Sequence, residues 1–437
     1  MTCFSFFGRS RRLDSSQRHD AEEENELAGV HNVKTYSYKE LRHATDDFSP
    51  VNKIGEGGFG SVYKGRLKDG KLVAVKLLSA ESRQGVGEFL AEIKAISVVE
   101  HENLVKLYGC CVEGQHRILV YNYLENNSLA QTLLGGSYIN IQFDWRTRTK
   151  ICIGVARGLA FLHEEVRPYI VHRDIKASNI LLDKDLTPKI ADFGLAKLIP
   201  SHMTHVSTRV AGTMFMGHYI CFCCCRGYLA PEYAIRGQLT RKADIYSFGV
   251  LLVEIVSGRC NTNTRLPIEE QYLLERTWQL YERKELIALV DTALNGDFDA
   301  EEACKYMKIG LLCTQDAPKL RPSMSTVVKM LTGEKEVDDS MISKPGLISD
   351  FMDLKVRAQP PTKARQRQST ATGKPSEAKT SPSSSPYDIS PYDSENHNDH
   401  SSSGTSTNAN TTFSTSSNAT LTFLTSTNAT TTFTTSY

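Results

Sequence analysis

The amino-acid sequence predicts a two-lobed α+β fold in which a small β-rich lobe precedes a larger α-helical lobe. Apolar residues are dense between residues 36 and 330, and glycine and proline separate the apolar runs. Short β-like runs dominate the first third of this body, whereas segments with the 3.6-residue period of helices dominate the rest. Such segregation of strands and helices along a chain is typical of α+β architectures.

The predicted elements follow in an order that separates the two lobes. In the first part, β-like runs surround one helical stretch at 87–99, and these runs are 60–66, 72–78, 104–111 and 118–123. In the later part, the helix-period segments are 146–164, 243–257, 301–314 and 323–331.

Composition disfavours several classes of protein. The 437 residues include 51 Lys and Arg against 50 Asp and Glu, whereas nucleic-acid-binding proteins usually have a strong basic excess. No apolar run reaches the roughly 18 residues that span a bilayer, and the N-terminus lacks the apolar core of a signal peptide. The 11 cysteines do not form a spaced disulfide pattern, which fits a reducing compartment. We therefore expect a soluble, cytoplasmic protein that binds no nucleic acid.

Both ends of the chain are predicted to be disordered. Residues 1–35 are polar with mixed charge, and residues 334–437 form a tail that is first basic and then rich in Ser and Thr. Residues 355–379 contain seven basic residues and one acidic residue, and residues 401–437 contain no charged residue. Few large apolar side chains are available in these segments to offset the entropic cost of ordering.

A glycine-rich stretch near the start of the body indicates a phosphate-binding loop. Its glycines allow a backbone hairpin to lie against phosphates, and Val62 is placed to cover an adenine ring. A strand follows these glycines, whereas the glycines of a dinucleotide-binding site lead into a helix, so the dinucleotide interpretation is disfavoured. The predicted nucleotide-binding residues here are Ile54, Gly55, Glu56, Gly57, Gly58, Phe59, Gly60, Ser61 and Val62.

A lysine and a glutamate form the second motif. Lys76 ends an apolar β-like run, which directs its ammonium towards a cleft where the α- and β-phosphates of a nucleotide need a cation. Glu92, on the helical stretch 16 residues later, is its natural partner. Taken alone, the pair is equally consistent with an exposed and weak ion pair.

The third motif combines carboxylates, an amide and a lysine. Residues 172–179 read His-Arg-Asp-Ile-Lys-Ala-Ser-Asn, and Asp192-Phe-Gly follows. Phosphoryl transfer needs a carboxylate to deprotonate the attacking hydroxyl and hard oxygen ligands for a metal ion. Asp174 suits the first role, Asn179 and Asp192 suit the second, and Lys176 can neutralise charge on the transferred phosphoryl group.

In this order the motifs resemble those of the eukaryotic protein kinases over residues 48–333. The resemblance implies a two-lobed kinase fold that uses ATP and Mg²⁺ and acts on protein substrates. It implies that Glu232 pairs with Arg321 and that Asp244 holds the backbone of the catalytic loop, residues 172–179. It also places Tyr121 at the gatekeeper position and adds further ATP-binding residues, namely Ala74, Asn122, Tyr123 and Leu124.

Several segments narrow the resemblance to plant receptor-like kinases of the Pelle group. These include 36–41, 44–48, 101–105, 109–111 and 228–233. The whole chain is similar to receptor-like cytoplasmic kinases of the cold-responsive protein kinase type. The resemblance implies Ser/Thr specificity, signalled by Lys176, and a membrane receptor kinase upstream.

Arg173 predicts dependence on phosphorylation, because an arginine before the catalytic base can pair with a phosphorylated activation loop. The candidate acceptors in that loop are Thr204, Ser207, Thr208 and Thr213.

The activation segment, residues 192–232, departs from the family pattern. Residues 215–226 form a 12-residue insertion between Thr213-Met214 and Gly227-Tyr228. One interpretation is a zinc site built from His218 and the cysteines of the insertion, a second is a redox-regulated loop, and the favoured one is altered splicing. If the insertion is present, the substrate groove is in doubt, and the alternative function is a catalytically impaired ATP-binding scaffold.

The N-terminal arm offers a candidate lipid anchor. Thr2 excludes N-myristoylation, whereas Cys3 lies among phenylalanines and precedes three arginines. S-acylation of Cys3 together with the basic residues would hold the chain at the inner face of the plasma membrane. The alternative is an ordinary polar arm with a free thiol.

Overall fold

A computed structural model describes residues 33–57, 60–78, 83–97, 99–135, 141–207 and 227–347, together with two short strands near the C-terminus. The predicted order of a β-rich lobe followed by a helical lobe is confirmed. The first lobe contains α1 (Tyr38–Ala44), β1 (Lys53–Gly57), β2 (Gly60–Arg66), β3 (Leu72–Leu78), α2 (Arg83–Ile96), β4 (Leu107–Glu113) and β5 (His116–Asn122).

The five strands of the first lobe form one antiparallel sheet in the order β1-β2-β3-β5-β4. On β3, Val73 and Val75 are buried together with Leu41 of α1. The helix α2 presents Phe89 and Ile93 to the main core, and both side chains are fully buried. The sheet therefore has α1 on one face and α2 on the other, and Lys76 of β3 lies beside α2.

The first helix, α1, begins at a capping box that is readable in the sequence. The Ser37 hydroxyl accepts a hydrogen bond from the Glu40 backbone N–H at 3.2 Å, and the Glu40 carboxylate accepts one from the Ser37 N–H at 3.0 Å. These bonds satisfy two backbone donors that a helix start leaves unpaired. The folded lobe therefore begins before the predicted boundary at residue 48.

The second lobe is mainly helical. It contains, in chain order, α3 (Leu129–Thr132), α4 (Trp145–Ala160), β6 (Tyr169–Val171), β7 (Ile180–Leu182), β8 (Pro188–Ile190), β9 (Lys197–Ile199), β10 (Val206–Ser207), α5 (Pro231–Arg236), β11 (Gln238–Leu239), α6 (Arg241–Ser257), α7 (Leu273–Glu282), α8 (Ala300–Cys313) and α9 (Met324–Leu331). Three antiparallel strand pairs lie among the helices: β6 with β9, β7 with β8, and β10 with β11.

The helix α6 lies at the centre of the second lobe. Every residue from 243 to 257 is buried, as expected for a helix that other elements cover on all sides. It ends at Gly258, whose φ of +62° is the left-handed conformation that favours glycine at a helix end. None of the helices in the described parts of the chain is long and apolar enough to cross a membrane.

The folded lobe also extends beyond the predicted start of the C-terminal tail at residue 334. Residues 334–347 are described, and Pro345 and Gly346 among them are buried. The prediction of a disordered tail from residue 334 is therefore wrong for this stretch. In a separate unit, residues 363–437, β12 (Leu421–Thr422) pairs antiparallel with β13 (Thr432–Phe433).

Candidate active site

The glycine-rich turn follows β1 in the chain and leads into β2, which pairs antiparallel with β3. Gly57 pairs with Gly60 across the turn, whereas Gly58 and Phe59 lie outside the described residues. Gly60 has a φ of +129°, and a Cβ atom added there would lie 2.0 Å from the Leu77 carbonyl oxygen. Only glycine fits this position, because its backbone approaches the next strand too closely for any side chain.

Lys76 connects the sheet, α2 and the start of the activation segment. Its Nζ lies 3.0 Å from Oε2 of Glu92 and 2.7 Å from Oδ1 of Asp192. The Lys76 side chain is 13% exposed and that of Glu92 is 1% exposed, so this is a buried ion pair rather than the exposed pair that the sequence left open.

The charges of this trio stabilise one another. Burial lowers the pKa of Lys76, but the carboxylates of Asp192 and Glu92 outweigh it and raise the pKa above its ordinary value. Burial raises the pKa of Asp192, but the ammonium groups of Lys76 and Lys176 outweigh it and lower the pKa. All three groups are therefore oriented by charge in a site where little water screens them.

Asp192 has a strained backbone that the surrounding residues hold in place. Its φ of +68° and ψ of +74° are left-handed, which is uncommon outside glycine. The following residue, Phe193, donates its N–H to Oε1 of Glu92 at 3.2 Å, and Nε2 of His172 lies 3.1 Å from the carbonyl of Ala191. Strain of this kind is typically found at functional sites.

The catalytic-loop residues form a second cluster. Nδ2 of Asn179 donates to both the carbonyl and Oδ2 of Asp174, each at 2.9 Å. Nζ of Lys176 also lies 2.9 Å from Oδ2 of Asp174. An amide and an ammonium therefore fix the orientation of the Asp174 carboxylate.

Asp244 of α6 holds the backbone that precedes Asp174. Its carboxylate accepts the N–H of His172 at 2.7 Å and the N–H of Arg173 at 2.8 Å, and Nε2 of His163 lies 2.9 Å away. Arg173 has a φ of +72°, so these bonds maintain an unfavourable backbone conformation. The contacts agree with what the resemblance implied for Asp244.

The predicted adenine-binding residues lie along β3 and β5. Ala74 pairs with Tyr121 across the two strands, and the buried Tyr121 has its pKa raised by burial and by the nearby Glu92 carboxylate. Asn122 exchanges two hydrogen bonds with the Lys106 backbone, at 2.8 and 3.1 Å, and the Lys64 ammonium lies over the Tyr123 ring. The buried Leu124 follows, and Gly55 lies beside Val62 at the opposite edge of the sheet.

Comparison with known proteins identifies the family of this site. The protein kinase domain family matches residues 48–331, which is well over half of the chain. The chain belongs to the protein kinase family. Membership implies that ATP is the phosphate donor and that proteins are the substrates, and it confirms the predicted fold.

The relatives support the same assignment. The kinase is 67% identical to Cold-responsive protein kinase 1 of Arabidopsis thaliana over 406 residues, which cover 92% of this chain and 98% of that protein. Two probable LRR receptor-like serine/threonine-protein kinases of the same plant are each 57% identical over 72% and 75% of this chain. The matched regions cover only 29% and 30% of those two proteins. The prediction of a serine/threonine-protein kinase is confirmed, and none of these comparisons supports a catalytically impaired scaffold.

The kinase has two buried contacts at the end of the activation segment. Glu232 and Arg321 form a bidentate ion pair with distances of 2.7 and 2.9 Å, as the resemblance implied. The Tyr228 hydroxyl donates to Oε2 of Glu254 and accepts the N–H of Ala177 at 3.4 Å. The second contact connects the activation segment to the catalytic loop, and the sequence motifs did not predict it.

Arg173 also makes a contact that the sequence motifs did not predict. Its guanidinium donates to the hydroxyl of Tyr233 on α5, at 2.7 and 3.1 Å. Of the candidate phosphorylation sites, Ser207 lies in β10 and Thr204 just before it. Several predictions lie outside the described residues, namely the acceptors Thr208 and Thr213, the insertion 215–226 with its zinc and redox alternatives, and the anchor Cys3.

The described residues contain no group of three or more His, Cys, Asp or Glu side chains placed to hold a metal ion. This does not disfavour Mg²⁺, because Mg²⁺ in kinases is held by few protein ligands together with phosphate oxygens and water. Asn179 and Asp192 supply an amide oxygen and a carboxylate, and both are the hard oxygen donors that Mg²⁺ prefers.

Proposed function

We propose that this kinase transfers the γ-phosphoryl group of ATP to serine and threonine hydroxyls of protein substrates, with the residues predicted from the sequence in the roles below. The observation that carries the proposal is the Lys76 ammonium held between Glu92 and Asp192, close to the cluster around Asp174. A cation fixed in this way can orient nucleotide phosphates without rearranging during the reaction.

On the nucleotide side, Lys76 contacts the α- and β-phosphates, and Glu92 keeps its ammonium in place. The turn between β1 and β2 covers the phosphates with backbone N–H groups, and Val62 and Ala74 enclose the adenine ring. Backbone groups of the connection after β5, residues 122–124, hydrogen-bond the adenine, and Tyr121 limits the space behind it.

On the acceptor side, Asp174 accepts the proton of the attacking hydroxyl. Asn179 and Lys176 both contact Oδ2 of Asp174, so the carboxylate is oriented before the substrate arrives. The Lys176 ammonium is also placed to neutralise negative charge on the transferred phosphoryl group. Lysine two residues after the base supports Ser/Thr rather than Tyr acceptors.

Mg²⁺ is the divalent cation we propose, and Asn179 and Asp192 are its protein ligands. When bound, the ion neutralises charge on the phosphates. The left-handed backbone of Asp192 and its contact with Lys76 fix the carboxylate beside the ammonium that we propose contacts the phosphates.

We propose that the catalytic domain spans residues 48–333, the range over which the sequence resembles the protein kinases. Its regulation is proposed to involve phosphorylation of the activation loop and a membrane receptor kinase upstream, supported by the similarity to LRR receptor-like kinases. Attachment of the N-terminal arm through Cys3 to the plasma membrane belongs to the same proposal.

The test is transfer of label from γ-labelled ATP to a generic basic protein in the presence of Mg²⁺, followed by identification of the labelled amino acid. We expect phosphoserine and phosphothreonine, and we expect Asp174→Ala to lower the rate at least ~100-fold. Phosphotyrosine as the main product, or an unchanged rate in Asp174→Ala, contradicts the proposal.

A further inference from the structure

The chain after the last helix, α9, forms an ordered strap over the second lobe. We define the C-terminal strap as residues 337–347, which lie beyond the kinase family match at 48–331. Near its beginning, the Asp339 carboxylate contacts the Lys308 ammonium of α8 at 2.6 Å. The hydroxyl of Tyr281 on α7 donates to the Asp339 carbonyl at 3.4 Å.

The end of the strap is fixed by backbone hydrogen bonds. The Gly346 N–H donates to the Thr314 carbonyl at 3.0 Å, and the hydroxyl of Tyr246 on α6 donates to the Gly346 carbonyl at 2.7 Å. The Ser343 hydroxyl donates to the Gln315 side chain at 2.7 Å. Tyr246 is itself buried at the centre of the lobe, so the strap is joined to the core rather than only to the surface.

Gly346 brings the strap into direct contact with the end of the activation segment. A Cβ atom at this position would lie 2.8 Å from Oδ1 of Asp316 and 2.9 Å from Cγ of Pro231. Pro231 is the first residue of α5, and the next residue is Glu232, which pairs with Arg321. Arg321 also donates to the Asp316 carbonyl at 3.3 Å. Gly346 therefore lies between Asp316, which Arg321 contacts, and Pro231, which precedes Glu232 in the chain.

We propose that the C-terminal strap positions the start of α5 and thereby the protein-substrate side of the active site. The inference rests on the proposed kinase function and adds a positioning element to it. Gly346 permits the close approach of the strap to Pro231, because it has no side chain. Tyr246, in the core of the lobe, holds Gly346 by a hydrogen bond to its carbonyl.

We expect disturbance of the strap to affect the binding of the protein substrate more than the binding of ATP, because of the residues that α5 and the segment before it contact. Tyr233 of α5 receives the Arg173 hydrogen bonds, and Tyr228, three residues before Pro231, contacts Ala177 of the catalytic loop. The nucleotide-side groups Lys76, Glu92 and Asp192 belong to other elements. A shift at α5 therefore changes how the acceptor protein is held and leaves the ATP contacts in place.

The experiment compares the full chain with Gly346→Ala, which crowds Asp316 and Pro231, and with Tyr246→Phe, which removes the hydroxyl bond to Gly346. Met341→Ala is the matched control, because Met341 lies in the strap but is 55% exposed. For each protein, KM for a generic basic protein and KM for ATP are measured. Hydrogen exchange of the amides of residues 232–237 is measured on the same samples.

We expect Gly346→Ala to raise the KM for the basic protein about fivefold or more, with KM for ATP changed less than about twofold. Tyr246→Phe should also raise the KM for the basic protein, by a smaller factor. Both KM values of Met341→Ala should match those of the parent. The amides of residues 232–237 should exchange faster in the two variants than in the parent.

Three outcomes overturn the inference. The first is an unchanged KM for the basic protein in both variants, the second is an equal rise in both KM values, and the third is unchanged exchange at residues 232–237. If the parent chain transfers no phosphate, the proposed function fails, and the exchange rates still decide whether the strap positions α5. A Gly346→Ala chain that does not fold leaves Tyr246→Phe to decide the matter.

Discussion

At the scale of single residues, the pair of Lys76 and Glu92 shows how burial changes the energetic contribution of an ion pair. Glu92 is 1% exposed and holds both the Lys76 ammonium and the Phe193 N–H. Removing one partner of a buried pair is costly because the remaining charge loses its compensation, whereas an exposed pair contributes little.

We therefore predict that Glu92→Gln lowers kcat/KM for ATP by about 10- to 100-fold, because the Lys76 ammonium loses one of its two anchors. The matched control is Asp47→Asn, which breaks the ion pair between Asp47 and Arg42. The Asp47 side chain is 66% exposed and that of Arg42 is 54% exposed. Steady-state kinetics with varied ATP checks the prediction. Equal effects of the two substitutions would show that Lys76 does not depend on Glu92.

Glu254 provides a residue-scale prediction about pH. Burial raises the pKa of Glu254 to about 8 from the ordinary value of 4.5, although Tyr228 and the Asn261 N–H donate to its carboxylate. Between these two pH values the folded chain retains a proton that the unfolded chain has lost. The free energy of unfolding therefore falls as pH rises from about 4.5 to about 8, by up to 2.303RT, on the order of 1 kcal/mol, per pH unit from this group.

Glu254→Gln removes this titration. We expect the free energy of unfolding of the parent, relative to that of the variant, to decrease as pH is raised from 5 to 8, and denaturant unfolding at several pH values measures it. A difference between the two proteins that stays constant over this range contradicts the assignment of a protonated Glu254.

At the scale of elements, the glycine-rich turn gives the sharpest prediction. Gly60→Ala places a methyl group 2.0 Å from the Leu77 carbonyl, so β2 must move away from β3. We expect the KM for ATP to rise about tenfold or more, measured by steady-state kinetics. Gly70→Ala is the control, since Gly70 also has a positive φ, of +82°, but no atom within 4 Å of the added methyl. A similar KM for ATP in both variants would mean that the positive φ of the glycine, and not its closeness to β3, determines the rise in KM.

The elements also show how far sequence patterns reach. The apolar period predicted α6 and the strands β2 and β3 closely, because these elements bury side chains in a regular repeat. It missed α1, which has only seven residues, although the capping box of Ser37 and Glu40 was readable. It also missed the strap, whose order depends on bonds to distant backbone groups such as the Thr314 carbonyl and leaves no period in the sequence.

For the candidate site, the sequence supplied the motif residues but not their contacts. Lys76 and Asp192 lie 116 positions apart and meet through a single hydrogen bond, which no local pattern reveals. The pairing of Arg173 with Tyr233 and of Tyr228 with Glu254 had no local sequence signal, because each joins side chains on elements that come together only in the folded lobe.

At the scale of the whole molecule, the described parts form the machinery expected of a kinase on both sides of the insertion at 215–226. After it, Tyr228 contacts Ala177 of the catalytic loop and Ser247 of α6, and Glu232 pairs with Arg321. These contacts anchor the end of the activation segment through residues that follow the insertion. We therefore expect the insertion to be compatible with activity.

Phosphate transfer from ATP to a generic basic protein decides whether this chain is an active kinase, and we would measure it for the full chain, for a chain lacking residues 215–226 and for Asp174→Ala. We expect the first two proteins to transfer phosphate at comparable rates and Asp174→Ala to be inactive. Activity in the shortened chain alone, with ATP still bound by the full chain, would contradict an active kinase and would mean that this chain is an ATP-binding scaffold.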